Sequence, residues 1–230
     1  MFKKPVSASL VLLLAFTITV CQARSLTDEL SRISGQIDDG KGDEAESALL
    51  LLREKNPKAP EVLTLLARIE YLRSVSGIAT SPGMPPLNWD KARMDAAERW
   101  VREAIAVDPK HANAWVVYGQ IKYARYDLEE SLQMLEKAEA INPTSVKLRL
   151  RKGATLRALA SYRGDNSLLD TSANEYRRAI KGKIDNGNER LAASELGEIF
   201  RTTSEFDKSL GYLTDALAAS KGNEKAFLLD

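Results

Sequence analysis

Apolar residues recur along this chain at helical spacing, and Pro, Asn and Gly interrupt them at regular places. Leu26, Leu30, Ile33 and Ile37 share one helical face, which Gly40 to Gly42 breaks. A second helical pattern runs through Ala45, Leu49 and Leu52 and stops at Asn56-Pro57. After Pro60 come Leu63, Leu66, Ala67 and Ile69, then Trp89, Ala97, Val101 and Ala104 before Asp108-Pro109. Between these two runs, Ser76 to Asn88 is too rich in Gly, Pro and Ser for continuous helix. The stretch Ala112 to Ser145 is a third pair. The fourth holds Gly153 and Leu156, crosses the polar segment Arg163 to Asp170, and continues through Ser172, Tyr176 and Ala179. The fifth sets Leu196, Gly197 and Phe200 against Phe206, Ser209, Leu213 and Ala216. No run of alternating β-branched residues argues for a sheet. The pattern predicts an all-α chain of about five helix pairs, at residues 25–57, 60–109 with an insertion at 76–88, 112–145, 146–182 and 188–220.

Residue separations test this register without using hydrophobicity. Leu52 to Ala67, Ala104 to Gly119 and Ala138 to Gly153 are each 15 apart. Gly119 to Ser131 and Gly197 to Ser209 are each 12 apart, and Pro109 to Pro143 is 34. Where the period fails, the extra residues are expected in loops: 18 in the Gly/Pro segment, seven near Arg163 to Asp170, and three in Lys181 to Asn188. Ala67, Gly119, Gly153 and Gly197 are expected where two helices of a pair approach, and Trp115, Leu135 and Leu213 to fill the space between.

In the third pair, Trp115, Tyr118 and Gly119 followed by Ser131, Leu135, Ala138 and Pro143 resemble the tetratricopeptide repeat (TPR), whose period is also 34. Tyr118 stands for its leucine and Lys122 for its tyrosine. The resemblance implies a right-handed TPR-like helical solenoid, with the first helix of each pair lining a concave groove that holds a protein or peptide partner. Carried over by register, it puts Arg68, Tyr71, Gln120, Tyr123, Lys147, Arg151, Arg157 and Arg201 on or beside the groove. Lys147 and Arg151 match the Lys-x3-Arg part of the family's carboxylate clamp, whereas Val117 and Arg68 stand where that clamp carries asparagine. So many basic groups on one face imply an acidic segment or a terminal carboxylate as ligand.

Residues 1–23 read as an export signal: Lys3 and Lys4, then a nearly continuous apolar run from Val6 to Val20, then Cys21-Gln22-Ala23 with cleavage after Ala23. Ile18-Thr19-Val20-Cys21 matches a lipobox only in part, so membrane attachment through a lipidated Cys21 is the alternative. Either route places the protein in a bacterial-type cell envelope, periplasmic or lipid-anchored. Loss of Cys21 leaves no cysteine and hence no disulfide.

Charge and chemistry narrow the function further. Lys plus Arg number 33 against 32 Asp plus Glu, which gives no basic excess for nucleic acid. His111 is the sole histidine and is read as a solvated turn residue, too isolated for catalysis or a metal. Glu129-Glu130 open a helix, where negative charge favours the N-terminus. No phosphate loop, nucleophile elbow or zinc spacing is present, so the expectation is a non-enzymatic adaptor without cofactor or metal. Two alternatives stay open. An envelope hydrolase, or an accessory subunit of one, could draw an acid pair from distant repeats. A self-associating structural lipoprotein, a homo-oligomer, would use the apolar end Phe227-Leu228-Leu229-Asp230. The loop cluster Met84, Pro85, Pro86, Leu87 and Trp89 is compact and apolar enough to dock a partner or to pack back on the helices, set against an idle, disordered insertion.

Overall fold

The computed structural model describes residues 26–78, 84–180 and 187–218; residues 1–25, 79–83, 181–186 and 219–230 lie outside them, and with them the expected export signal, the Cys21 lipobox and the apolar end Phe227 to Asp230. Among the described residues there are ten helices and no strand. They are α1 at 26–38, α2 Gly42–Lys55, α3 Pro60–Ser74, α4 Lys91–Val107, α5 Ala112–Ala124, α6 Leu128–Ile141, α7 Val146–Arg163, α8 Ser167–Ala179, α9 Gly187–Thr202 and α10 Phe206–Ala218. From α3 onward, each odd helix packs most closely on the helix that follows it, and each even helix then meets the next pair. The odd helices α3, α5, α7 and α9 also touch one another in series, forming the inner row of an all-α solenoid.

Helix ends follow from the punctuation. Pro60 starts α3 where its missing N–H costs nothing. Asp90 caps α4 by accepting from the Arg93 N–H, and Ser145 caps α7 by accepting from the Leu148 N–H. Within the first, third and fifth pairs the turn repeats one geometry: Gly40, Tyr126 and Ser204 have φ of 77°, 64° and 63°. The next residue's N–H then reaches back to the carbonyls of Gln36, Lys122 and Phe200, a left-handed helix stop.

The close approaches are as the spacing predicts. A Cβ added at Gly119 would lie 2.8 Å from Leu135 Cγ, one at Gly153 2.7 Å from Tyr176 Cζ, and one at Gly197 2.5 Å from Leu213 Cγ. A buried serine closes each contact: Ser131, Ser172 and Ser209 donate to the carbonyls of Gly119, Gly153 and Gly197 at 2.9, 2.8 and 2.8 Å. Trp115 does more than fill space. Its indole N–H donates to the Pro109 carbonyl at 2.8 Å, and in the next repeat Arg149 donates to Pro143 at 2.6 Å from the same register.

Two expectations change, and one open choice is decided. The seven extra residues of the fourth pair do not make a loop: they lengthen α7 to 18 residues and advance the start of α8, leaving a short turn at Gly164. Gly164, with φ 65°, ends α7 in the left-handed region, and Arg163 pairs with Glu129 at 2.6 Å, so the helical extension has its own anchor. His111 is half-buried at the start of α5, and burial pushes its pKa down against the fields of Glu61 and Asp108, so it is not simply solvated. The described part of the proline-rich insertion packs back on the helices: Pro85 and Pro86 are buried, Trp89 joins the core, and the Tyr126 hydroxyl donates to the Pro85 carbonyl at 3.3 Å. Leu87 alone of that cluster points outward, 81% exposed.

Candidate groove and comparison with known proteins

The inner row brings together most of the residues expected at the groove. Tyr71 from α3, Gln120 and Tyr123 from α5, and Arg151 from α7 line one hollow, floored by Gly119, Ser131, Leu135 and Thr155. The Thr155 hydroxyl is held by the Arg151 carbonyl at 2.9 Å and faces Ser131 Oγ at 3.1 Å, so the floor is satisfied. With its amide oxygen turned to Arg151, the orientation in which both groups find a partner, Gln120 accepts from Nε at 2.8 Å and Nη2 at 2.9 Å. That contact aims the guanidinium without neutralising it, and among the described residues no carboxylate is recorded as pairing with Arg151. Burial pushes the Tyr71 phenol pKa up, against the opposing field of Arg151. Burial pushes Tyr123 far above the ordinary phenol range, helped by Glu195 and Tyr71 and opposed by Arg151 and Arg157. Both tyrosines therefore stay neutral hydroxyl donors beside a fixed cation.

The register explains the geometry. Tyr71, Tyr123, Arg157 and Arg201 each lie four residues after the close-approach position of their pair, and Val117, Arg151 and Glu195 each lie two before it. The later position of one repeat meets the earlier position of the next: Tyr123 lies in the field of Arg151, and Arg157 forms an ion pair with Glu195.

The other expected residues are dispersed. Arg68 turns back to the first pair, bonding Ser34 at 3.3 Å and pairing with Asp38. Lys147 is exposed on the first turn of α7. Arg201 is exposed and paired with Glu198 on its own helix at 2.9 Å. Val117, the position of a clamp asparagine, is buried. Two residues that bear on the groove were missed by sequence reasoning: Glu195, on the inner helix α9, and Tyr176, buried behind the row on α8. Their signal was in the register: Glu195 occupies the place of Arg151 one repeat on, and Tyr176 stands where the neighbouring pairs have Leu135 and Leu213. Threaded past Gly153, Tyr176 is 1% exposed, and its hydroxyl has no hydrogen-bond partner.

Stacked helix pairs, small residues at each close approach and an open inner face define a helical-repeat protein. Residues 89–146 match the tetratricopeptide repeat family, and the described helices share the fold of solved TPR solenoids. A thermophilic TPR protein of Thermus thermophilus superposes with a TM-score of 0.64 at 19% identity, covering 88% of this chain and 98% of that one. Pseudomonas aeruginosa PilF gives 0.61 at 14% identity, covering 87% and 78%. PilW, described as a widely conserved type IV pilus biogenesis factor, gives 0.61 at 16%, covering 88% and 81%. In sequence, a dTTP/UTP pyrophosphatase of Rhodospirillum rubrum is 26% identical over 188 residues, 81% of this chain and 82% of that protein. Among the described residues no helix is long and apolar enough to cross a membrane, and no group of three or more acidic, His or Cys side chains is placed to hold a metal ion.

Proposed function

We propose that this protein is a non-catalytic scaffold of the cell envelope whose inner face holds an acidic segment of a protein partner. The observation that carries this reading is the hollow itself: Arg151, aimed by Gln120 and unneutralised, lines it together with two neutral tyrosines contributed by two other repeats. A carboxylate entering there gains charge-assisted hydrogen bonds from the guanidinium. The open inner row suits an extended chain better than a small molecule. The envelope assignment rests on the signal-like residues 1–23 and agrees with the likeness to PilF and PilW. Crosslinking in intact cells, with and without Arg151→Glu, tests the proposal. Recovery of a discrete protein partner from the parent chain and its loss from the variant are expected, and equal recovery from both would sink it.

A second reading, nucleotide hydrolysis, draws on the likeness to the Rhodospirillum rubrum pyrophosphatase. Incubating the purified chain with dTTP and a divalent cation decides it. Pyrophosphate release that survives Arg151→Glu would favour catalysis over a scaffold role.

A further inference from the structure

Tyr176 poses a physical problem that the groove reading leaves unsolved. Leu135 and Leu213 show that an aliphatic side chain fills this register position in the adjacent pairs. A phenol here carries its hydroxyl beyond the packing site, to a place 1% exposed and without a partner, and an unsatisfied buried hydroxyl is costly where leucine would carry no such cost. Its surroundings are polar and crowded. The Tyr176 hydroxyl lies in the fields of Glu195, Arg157, Tyr123 and Arg151, which come from α9, α7 and α5. That hydroxyl draws the Glu195 carboxyl down as a weak side-chain hydrogen bond would, but the contact is too poorly formed to satisfy the hydroxyl.

Glu195 is held unlike Glu98, Glu139 and Glu175, the other well-shielded carboxylates that bridge helices. Its side chain is 9% exposed and its ion pair is with Arg157 alone, whose side chain is 16% exposed. Glu98, Glu139 and Glu175 are each met by several cations. Arg157 has no other recorded ion-pair partner among the described residues. Glu195 stands in the Arg151 register, so a negative group projects into the inner row where the preceding repeat presents a cation. Ala154 lies where the preceding repeat has Gln120, so no amide fixes it there.

We propose that Arg157, Tyr123 and the Tyr176 hydroxyl form a second carboxylate subsite of the groove, occupied in the free protein by the chain's own Glu195 and taken over by an acidic side chain of the partner. This rests on the groove reading above and extends it from one cation to two, on either side of Ala154 on α7. When Glu195 turns to solvent it regains hydration that burial denies it. The arriving carboxylate then gains the Arg157 guanidinium, with the orphaned Tyr176 hydroxyl as a further donor. The partner would thus carry at least two acidic side chains along an extended segment.

The probe is an N-acetylated, C-amidated hexapeptide of alternating Ala and Glu, titrated by calorimetry into the mature chain. Glu195→Gln removes the internal competitor's charge while keeping its size, and about tenfold tighter binding is expected, equivalent to about 1.4 kcal/mol. Adding Tyr176→Phe to Glu195→Gln should weaken binding several-fold, while raising the thermal midpoint because the unsatisfied hydroxyl is gone. Glu195→Asp, which keeps the charge and shortens its reach, should lie between parent and Gln variant and guards against a folding defect in the latter. Binding no tighter in Glu195→Gln than in the parent, or indifferent to Tyr176→Phe, overturns the subsite. A response to Arg151→Glu with none to Glu195→Gln leaves the first subsite and removes the second; the reverse pattern does the opposite. Absence of binding in every form also overturns the second subsite, because a freed Arg157 should capture a carboxylate, whereas the scaffold reading is judged by the cellular crosslinking.

Discussion

At the scale of single residues, the chain uses the same turn with unequal chemistry. Gly40 takes its left-handed φ at no steric cost, whereas Tyr126 and Ser204 hold similar angles with a Cβ in place. Tyr126 gains a return through its hydroxyl bond to Pro85, which ties the proline-rich insertion down. Ser204 is exposed, and no side-chain contact of comparable kind is recorded for it. The left-handed strain of an L-residue is about 1–2 kcal/mol, and the added chain entropy of glycine offsets part of it, so Ser204→Gly should stabilise by about 0.5–1 kcal/mol. Urea unfolding would measure this, and an unchanged or lower midpoint would contradict it. The groove residues are legible at this scale only in part. Tyr71, Gln120, Tyr123 and Arg151 can be read from the sequence because register alone fixes which way an inner-helix residue faces. Arg68 departs from its expected place because a long flexible cation goes to the nearest carboxylate, here Asp38, and the identity of that neighbour depends on how pairs stack. Tyr176 reads as a packing residue, since periodicity reports burial and says nothing about an atom beyond the packing site.

At the scale of elements, the helix pair is the unit that the sequence encodes most fully. The separation of 12 between glycine and serine is visible in the sequence because it is one physical object: a backbone carbonyl and a hydroxyl in hydrogen-bond contact across two helices. The fourth pair keeps that bond at a separation of 19, so its seven extra residues had to leave the contact undisturbed. Sequence spacing could not tell a loop from two longer helices, because Leu156 to Arg163 is good helix material and needs only a left-handed Gly164 to stop it. Gly153 bears the tightest demand in this pair, since the whole Tyr176 ring crosses above it. Replacing Gly by Ala normally favours a helix by about 1 kcal/mol, but overpacking against a rigid ring costs about 1–3 kcal/mol. Gly153→Ala should therefore lower stability by up to about 2 kcal/mol, the overpacking cost less the gain in propensity. A double variant with Tyr176→Leu should recover most of the loss, and failure to recover it would show that the ring is not the cause.

At the scale of the whole molecule, repeats touch mainly their neighbours, so the charges that bridge successive helices govern how far the stack behaves as one body. Glu139 of α6 is the clearest bridge: it pairs with Lys152 of α7 at 2.6 Å and with Arg178 of α8 at 3.8 Å. The hydrogen bond from Lys152 holds its carboxyl below the usual carboxylate range, with the charges of Lys152, Arg178 and Arg149 adding to it. Glu98 of α4 plays the same part toward α5. Burial there opposes ionisation, but the bond from Arg102 and the charges of Arg125 and Lys122 outweigh it, and its pKa also falls. A carboxyl lowered by folding contributes stability that is present above its unfolded value, near 4.5, and is lost as pH falls through the folded one. Glu195 has the opposite sign: burial raises it despite Arg157, so its contribution is present below 4.5 and is lost as pH rises through the folded value. The stack should thus weaken below pH 4.5 at the joints α4 to α5 and α6 to α8, while the α7 to α9 contact gains in relative terms. Hydrogen exchange at pH 4 and pH 7 reads this joint by joint. Protection in α5 and α6 should fall at the lower pH, and Glu139→Gln should remove most of that pH dependence at its own joint. Uniform loss along every helix would instead mean that acid acts on the chain as a whole and that these two carboxylates are not its points of entry.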